Sequence, residues 1–403
     1  MLKNYRLWWH APRLRHTSGE EERKVSWLEL FFDLVFVVII ARLAHHFGEH
    51  PSWYGLGELA LLFIPVWWVW IAGTIYTDRF ETEDLSYRTL MFVMMLIVGV
   101  MAVFAPYGLG KYADAYAWSY VSARVLIIGM WLRAGKHNPI ARPMTNKFAV
   151  GFGMSAVLWA ISTQFDGTLS VVLKGVGLVF DTLTPLWTIR DQAKLPRLSN
   201  HKLPERFGLL VLIVLGESIV GMVNGLADAK DRNVLVFVRY ILGALVGFGL
   251  WWVYFDFVGR RVPNRANIKL SLAWSYGHLP MLICAVAVGA MIAHAIGTKE
   301  PEPITLMLLC TGYAGALLCM ALLEFTLAPE HPAVVHPATS MGLKILLAAV
   351  ALMVGLVFHQ PIAVLGALSV LNLVMMLYGL IWWFRSPHSR PGGPSHHHAP
   401  EHH

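Results

Sequence analysis

Twelve stretches of about 20 mostly apolar residues follow one another along this chain, each long enough to cross the hydrocarbon of a bilayer. They cover about residues 25–47, 57–77, 88–106, 113–133, 148–164, 169–189, 205–226, 236–257, 270–297, 303–327, 339–358 and 361–384. A backbone in lipid must satisfy its own N–H and C=O groups, so each stretch is expected to be a helix. Only 14% of the 403 residues are charged, against about 25% in an average soluble domain. The surface therefore has too little charge to face water all round. The expected class is all-α, a polytopic helical integral membrane protein with about 12 transmembrane helices. The fifth stretch is short. The last two are joined by only His359-Gln360-Pro361, which reads as a tight hairpin or a broken helix.

The basic residues set an orientation. With the N-terminus inside, the inner segments hold Lys3, Arg6, Arg13, Arg15, Arg23 and Lys24, then Arg79 and Arg88, then Arg133, Lys136, Arg142 and Lys147. Further on they hold Arg190, Lys194, Arg197 and Lys202, then Arg260, Arg261, Arg265 and Lys269, with Arg385 and Arg390 in the tail. The outer loops hold only Lys111, Lys230, Arg232 and Lys299. Such a bias puts both termini in the cytoplasm and requires an even number of spans. The net charge of +7 is thus spent on topology, and without a soluble basic domain nucleic-acid binding is not expected. Residues 1–24 form a basic segment with Trp8 and Trp9, expected either to lie on the cytoplasmic face or to be disordered. They lack the short apolar core and cleavage site of a leader peptide. Residues 385–403, rich in Pro, Gly and His, read as a disordered tail.

Two acid-bearing segments look like copies of each other. The first runs Val25-Ser26-Trp27-Leu28-Glu29-Leu30-Phe31-Phe32-Asp33-Leu34-Val35-Phe36-Val37. The second runs Leu203-Pro204-Glu205-Arg206-Phe207-Gly208 and continues to Leu215-Gly216-Glu217-Ser218. Trp67-Trp68-Val69-Trp70 and Trp251-Trp252-Val253-Tyr254 lie nearly the same distance apart along the chain. This pattern predicts an internal repeat: a first six-helix half over 25–189, a cytoplasmic linker over 190–204 and a second six-helix half over 205–384. Two halves of equal orientation are related by an axis along the membrane normal, with a site where they meet.

The residues Trp27 to Phe36, with Glu205-Arg206-Phe207-Gly208 and Leu215-Gly216-Glu217-Ser218, resemble the two signatures of the bacterial low temperature requirement protein A (LtrA) family. The resemblance covers about residues 20–385. It implies a multi-pass protein of the bacterial cytoplasmic (inner) membrane and carries no settled biochemical activity, so the chemistry must come from the residues.

An ionisable side chain within a span marks a functional site by default. Glu29 and Asp33 are four apart and share a helix face, with Asp33 about 6 Å deeper. Two carboxylates so close repel when both are ionised, so one tends to hold a proton. Glu29 can equally complement its helix N-terminus. Glu217 lies about 18 Å along its helix from Glu205, near the middle of the bilayer. The repeat puts Arg42 beside Ser218 in depth, which predicts an Arg42–Glu217 pair. Arg124 sits in mid-span and calls for Asp33, Asp181, Glu217 or an anionic substrate as its partner. Lys174 and Asp181 share a face. Asp256 and Glu324 are placed near the cytoplasmic ends, where they can snorkel.

The candidate site residues are thus Glu29, Asp33, Arg42, Arg124, Lys174, Asp181, Glu205, Glu217 and Ser218. Cys284, Cys310 and Cys319 fit packing, with neither a disulfide framework nor metal spacing. His45, His46, His278, His294 and His359 fit hydrogen-bonded helix contacts better than haem or metal ligation, so no cofactor is expected. No phosphate-cradling glycine loop is present. Three functions stay open: a secondary transporter or ion/proton-translocating protein, a membrane enzyme acting on lipid or a lipid-linked group, and a non-catalytic stress-related protein. The expected partners are membrane lipid and a small solute or ion. The sequence leaves the oligomeric state open.

Overall fold

Every apolar stretch folds as one long helix. The structure, a computed structural model, describes residues 10–14, 25–81, 84–199, 201–229, 231–264, 267–328 and 337–385. The long helices are α1 (Trp27–Glu49), α2 (Trp53–Arg79), α3 (Leu85–Phe104), α4 (Ala113–His137), α5 (Arg142–Ser162) and α6 (Gly167–Trp187). They continue with α7 (Lys202–Asp228), α8 (Val234–Tyr254), α9 (Ile268–Gly297), α10 (Pro303–Phe325), α11 (Pro337–Val357) and α12 (Pro361–Arg385). A four-residue helical turn, Ile189–Gln192, lies in the linker before α7, and α8 ends in a π-helical turn, Phe255–Gly259. Among the described residues, nine helices are long and apolar enough to cross a membrane: α2, α3 and α6 to α12. The other three match them in length and fall short by composition. For example, α1 carries Glu29, Asp33 and Arg42, and α4 carries Asp114, Arg124, Arg133 and Lys136.

Local chemistry sets the helix ends. Ser26 and Glu29 form a capping box at the start of α1: Glu29 N–H donates to Ser26 Oγ (3.3 Å) and Ser26 N–H to Glu29 Oε2 (3.0 Å), which satisfies two orphan donors at once. Ser52 Oγ accepts from Gly55 N–H (2.9 Å) and caps α2, so that helix starts earlier than the hydropathy pattern implied. The fifth stretch, short by hydropathy, is a 21-residue helix whose first turn holds the polar run from Arg142 to Lys147. The last two stretches are separate helices, with Pro361 in the first turn of α12, where its missing N–H costs nothing.

The outward faces are apolar. Phe31, Leu34 and Val38 on α1, Phe237, Ile241 and Phe248 on α8, and Leu373, Leu377 and Trp383 on α12 are all exposed. In water such continuous surfaces would drive association; in a bilayer they meet acyl chains. α2, α9 and α10 are the most enclosed helices. α1 packs against α2, α3, α7 and α9 and so joins the earlier helices to the later ones.

A small sheet lies at one end. Arg13–Leu14 (β1) pairs antiparallel with Phe80–Glu81 (β2), with Arg13 opposite Glu81 and Leu14 opposite Phe80. Asn138 clamps the same segment, accepting from Leu14 N–H (3.1 Å) and donating to Pro12 O (2.8 Å). Part of the N-terminal segment is therefore docked on the ends of α2 to α4. The rest of residues 1–24, and the tail beyond Arg385, fall outside the described residues. Asp84 is central to the docking. It caps α3 through Tyr87 N–H (3.0 Å) and accepts from Ser86 Oγ (2.6 Å) and His10 N–H (2.7 Å).

Burial alone would raise the Asp84 carboxyl, but the bonds from Ser86, Tyr87 and His10 and the charge of Arg133 outweigh it and hold the group below the ordinary carboxylate range. A depressed pKa stabilises the fold above the unfolded value, near 3.9, and that stability is lost as pH falls through the folded value. Asp84→Ala is expected to lower the thermal unfolding midpoint at neutral pH, by about 1 kcal/mol of stability for the lost cap. The gap between wild type and variant should narrow below about pH 4.

Candidate functional site

Two helix starts meet as a charged ladder. Glu29 and Asp33 face out from the first turns of α1, and Lys202 and Arg206 from the first turns of α7. Each pair is four residues apart, so each lies on one face of its helix. Lys202 Nζ reaches Glu29 Oε1 at 2.5 Å. Arg206 grips Asp33 with both arms, Nε to Oδ2 at 2.9 Å and Nη2 to Oδ1 at 2.5 Å. Trp70 Nε1 donates to Asp33 Oδ1 (2.8 Å), and Arg206 Nη1 donates to Thr77 Oγ1 (2.8 Å). All four charged residues are buried. The expected repulsion between Glu29 and Asp33 is relieved because each carboxylate has its own cation. Bidentate pairing of this kind is strong and directional, so the ladder acts as a strut between α1 and α7. Glu205, one residue before Arg206, points away and is exposed.

Glu217 is held differently. It lines a cavity of about 790 Å³ between the later parts of α1, α7 and α9, together with Arg42, His45, Asn224, Asp228 and His294. Glu217 is only part-buried and forms no ion pair among the described residues. The predicted pair with Arg42 does not form: Arg42 lines the same cavity but is exposed and makes no ion pair. The two side chains meet an open space rather than each other. Ser218 lines the same cavity on its α9 side, its Oγ donating to Val214 O (3.1 Å). There α7 and α9 touch so closely that a Cβ on Gly289 would overlap Ser218 Oγ.

The sequence matches the profile of the family described as Bacterial low temperature requirement A protein (LtrA) over residues 24–380. The chain belongs to the LtrA family. It is 30% identical over 311 residues to an uncharacterized protein of Rhizobium meliloti (strain 1021), which covers 72% of each chain. No solved structure matches it. The two LtrA-like signatures are the two segments that the ladder joins: Trp27–Phe36 opens α1, and Glu205–Gly208 opens α7.

Two further buried acids of this LtrA chain, Asp181 and Glu324, are also paired. Arg124 (α4) meets Asp181 (α6) at 2.8 Å, both fully buried. Tyr120 donates its hydroxyl to Asp181 and accepts from Arg124 Nε (2.8 Å), and Ser155 Oγ donates to Asp181 (2.7 Å). The Phe152 ring faces the guanidinium at 4.8 Å. Asp181 was one of the partners open to Arg124, and it is the one that Arg124 meets. Lys174, on the Asp181 face of α6, is buried and turns to Ser170 Oγ (2.9 Å). Glu324 corrects the snorkelling expectation. It is 3% exposed, bonded to Lys344 Nζ and Ser340 Oγ (both 2.9 Å), with Arg261 at 3.6 Å. Asp256 does sit exposed, beside Arg260 at 3.6 Å.

His278 is buried and satisfied on both ring nitrogens, by Tyr254 OH (3.0 Å) and Trp274 O (2.7 Å). No metal-binding group of His, Cys, Asp or Glu occurs among the described residues. Lys202, Arg206 and Lys344 were missed from sequence. For the first two a signal existed, since Lys202 and Arg206 repeat the four-residue spacing of Glu29 and Asp33.

Removing one partner of a buried ion pair leaves an uncompensated charge, at a cost of about 3–5 kcal/mol. Arg206→Met alone should therefore destabilise the protein strongly in thermal unfolding of detergent-solubilised material. Asp33→Leu combined with Arg206→Met should be markedly more stable than either single variant.

Proposed function

We propose that this LtrA-family protein is a secondary transporter or ion-translocating protein of twelve spans, in which Glu217 takes up and releases a proton or cation. The observation that carries the reading is the contrast among the acids. Glu29, Asp33, Asp181 and Glu324 are each bound to a cation and buried. Glu217 has no ion-pair partner among the described residues and lines a cavity large enough for a small solute. A carboxylate at membrane depth is expensive unless it is paired or wet, so a lone one on a cavity wall is placed for exchange. Arg42 and His294, on the same wall, supply sites for an anionic group or a second proton. The paired acids hold the frame that carries this cavity. A general acid–base role for Glu29 and Asp33 has no support, because each is already engaged by a cation.

The two-half arrangement has support in the packing. In the first six helices the first packs on the third, the third on the fourth and the fourth on the fifth, while the second touches the sixth. The same neighbours recur among α7 to α12. A cytoplasmic position for both termini is supported by the basic residues that gather at the ladder end of the helices. There Lys147 pairs with Asp191 (2.7 Å) and Arg133 donates to His10 O (2.6 Å).

In sealed proteoliposomes with a pH-sensitive dye inside, the wild-type protein is expected to dissipate an imposed pH gradient when its solute or counter-ion is supplied from a small-molecule extract. Glu217→Gln should slow this at least tenfold while leaving the unfolding midpoint near wild type. Glu205→Gln, at an exposed position, should leave it unchanged. Equal flux in wild type and Glu217→Gln would overturn the assignment.

A further inference from the structure

A second cavity lies at the other end of α9 from Glu217. It has a volume of about 260 Å³ and is lined by α2, α4, α5, the end of α6, the first turns of α9 and linker residues between 192 and 198. Ser275, on its wall, and Val286, on the wall of the Glu217 cavity, are separated by about 16 Å along α9. The two cavities are therefore distinct.

Its lining combines aromatic walls with donors that lack acceptors. Trp67, Trp68, Trp131, Phe152 and Tyr276 supply the rings. Among the described residues, the indole N–H groups of Trp67, Trp68 and Trp131 are buried without a hydrogen-bond partner, and so is Nε of Arg79. Buried donors are almost always satisfied. Trp159, Trp252 and Trp274 also keep unpartnered indole N–H groups elsewhere, so the weight falls on Arg79 together with the three indoles of this cavity. The Arg79 side chain is buried, with 6% exposure. Its remaining nitrogens reach only neutral oxygens, Gln192 Oε1 at 3.1 Å and Pro196 O at 3.4 Å. No carboxylate lies within ion-pair distance of it among the described residues. Asp78, next in the chain, accepts from Ser199 N–H (2.8 Å). By contrast Lys202, Arg206, Arg124 and Lys344 each meet a carboxylate.

We infer that this cavity binds a compact anionic amphiphile, with its carboxylate or phosphate head on Arg79 and the indole N–H groups and its apolar body between the aromatic rings. The guanidinium fork matches the oxygens of such a head, and the rings supply the apolar contact that small-ligand pockets use. The aromatic walls alone would suit a cation; the charge of Arg79 excludes one. The ligand chemistry is shared by a free amphiphilic acid or phosphate ester and by an anionic membrane lipid. The site stands on its own observations and does not depend on the role proposed for Glu217.

The test uses the full chain in nanodiscs of neutral phosphatidylcholine, titrated with octanoate, octyl phosphate or octanol and followed by thermal unfolding. Octanoate and octyl phosphate should raise the midpoint to a saturating value, and octanol should not. Arg79→Gln should weaken this response at least tenfold. Trp131→Phe, which keeps a ring and loses the N–H, should weaken it several-fold and remains informative if Arg79→Gln fails to fold. Glu217→Gln should titrate as wild type. In discs containing phosphatidylglycerol, loss of the octyl phosphate response together with a lipid retained in native mass spectrometry identifies a membrane lipid as the occupant. A response kept in both disc types identifies a free solute. Octanol acting like octanoate, or both Arg79→Gln and Trp131→Phe titrating as wild type, would overturn the inference.

Discussion

The contact on which the rest of the structure depends is the double ion pair between the first turns of α1 and α7. Glu29–Lys202 and Asp33–Arg206 are formed by two acids and two bases with the same spacing. The ladder can form only when the two helices start side by side and run the same way. One-turn slippage would leave a buried charge alone, so the ladder sets register as well as contact. A buried ion pair adds little net stability over apolar residues of similar volume, because desolvation offsets the attraction. Its value here is specification: α1 also touches α2, α3 and α9, so fixing α1 against α7 locates most of the molecule's interior.

From that frame follows a division among the charges. At the ladder end, and in the Arg124–Asp181 and Glu324–Lys344 clusters, acids and bases meet in buried surroundings, with Tyr, Ser, Thr or Trp adding further hydrogen bonds. Such groups are poor exchangers, since a change of protonation would strand a partner charge. Further along α1 and α7 the packing opens into the cavity lined by Glu217 and Arg42, which form no ion pairs among the described residues. The close approach of Ser218 to Gly289 walls that cavity on the α9 side. The contrast between these pairs and the cavity-lining Glu217 is what the proposed exchange role rests on.

Much of the frame was legible in the sequence, because a helix in lipid is dictated by length and hydropathy. The twelve stretches correspond one to one with twelve long helices. The ends differ by a few residues where caps such as Ser52, or polar first turns such as that of α5, extend a helix beyond its apolar part. The deep acids were legible for the same reason, as outliers in an apolar run. Their partners were harder. Matching Glu29 with Glu205 directs attention to the wrong side of α7, because successive residues are turned by about 100° and it is Arg206 that faces α1. Lys344 and Glu324 are distant in sequence and joined only by packing, so no spacing announces them. The Arg42–Glu217 expectation failed at the contact: both residues line one cavity, and hydropathy says nothing of whether a cavity intervenes.

The central claim is that the paired acids are locked and Glu217 is free. Dicyclohexylcarbodiimide, an apolar reagent that modifies protonated carboxyl groups within membranes, tests it on the native protein when labelling is mapped by mass spectrometry. The account predicts modification of Glu217, suppressed at high pH, with Asp33, Asp181 and Glu324 unmodified. Labelling of Asp33 with Glu217 untouched would contradict it.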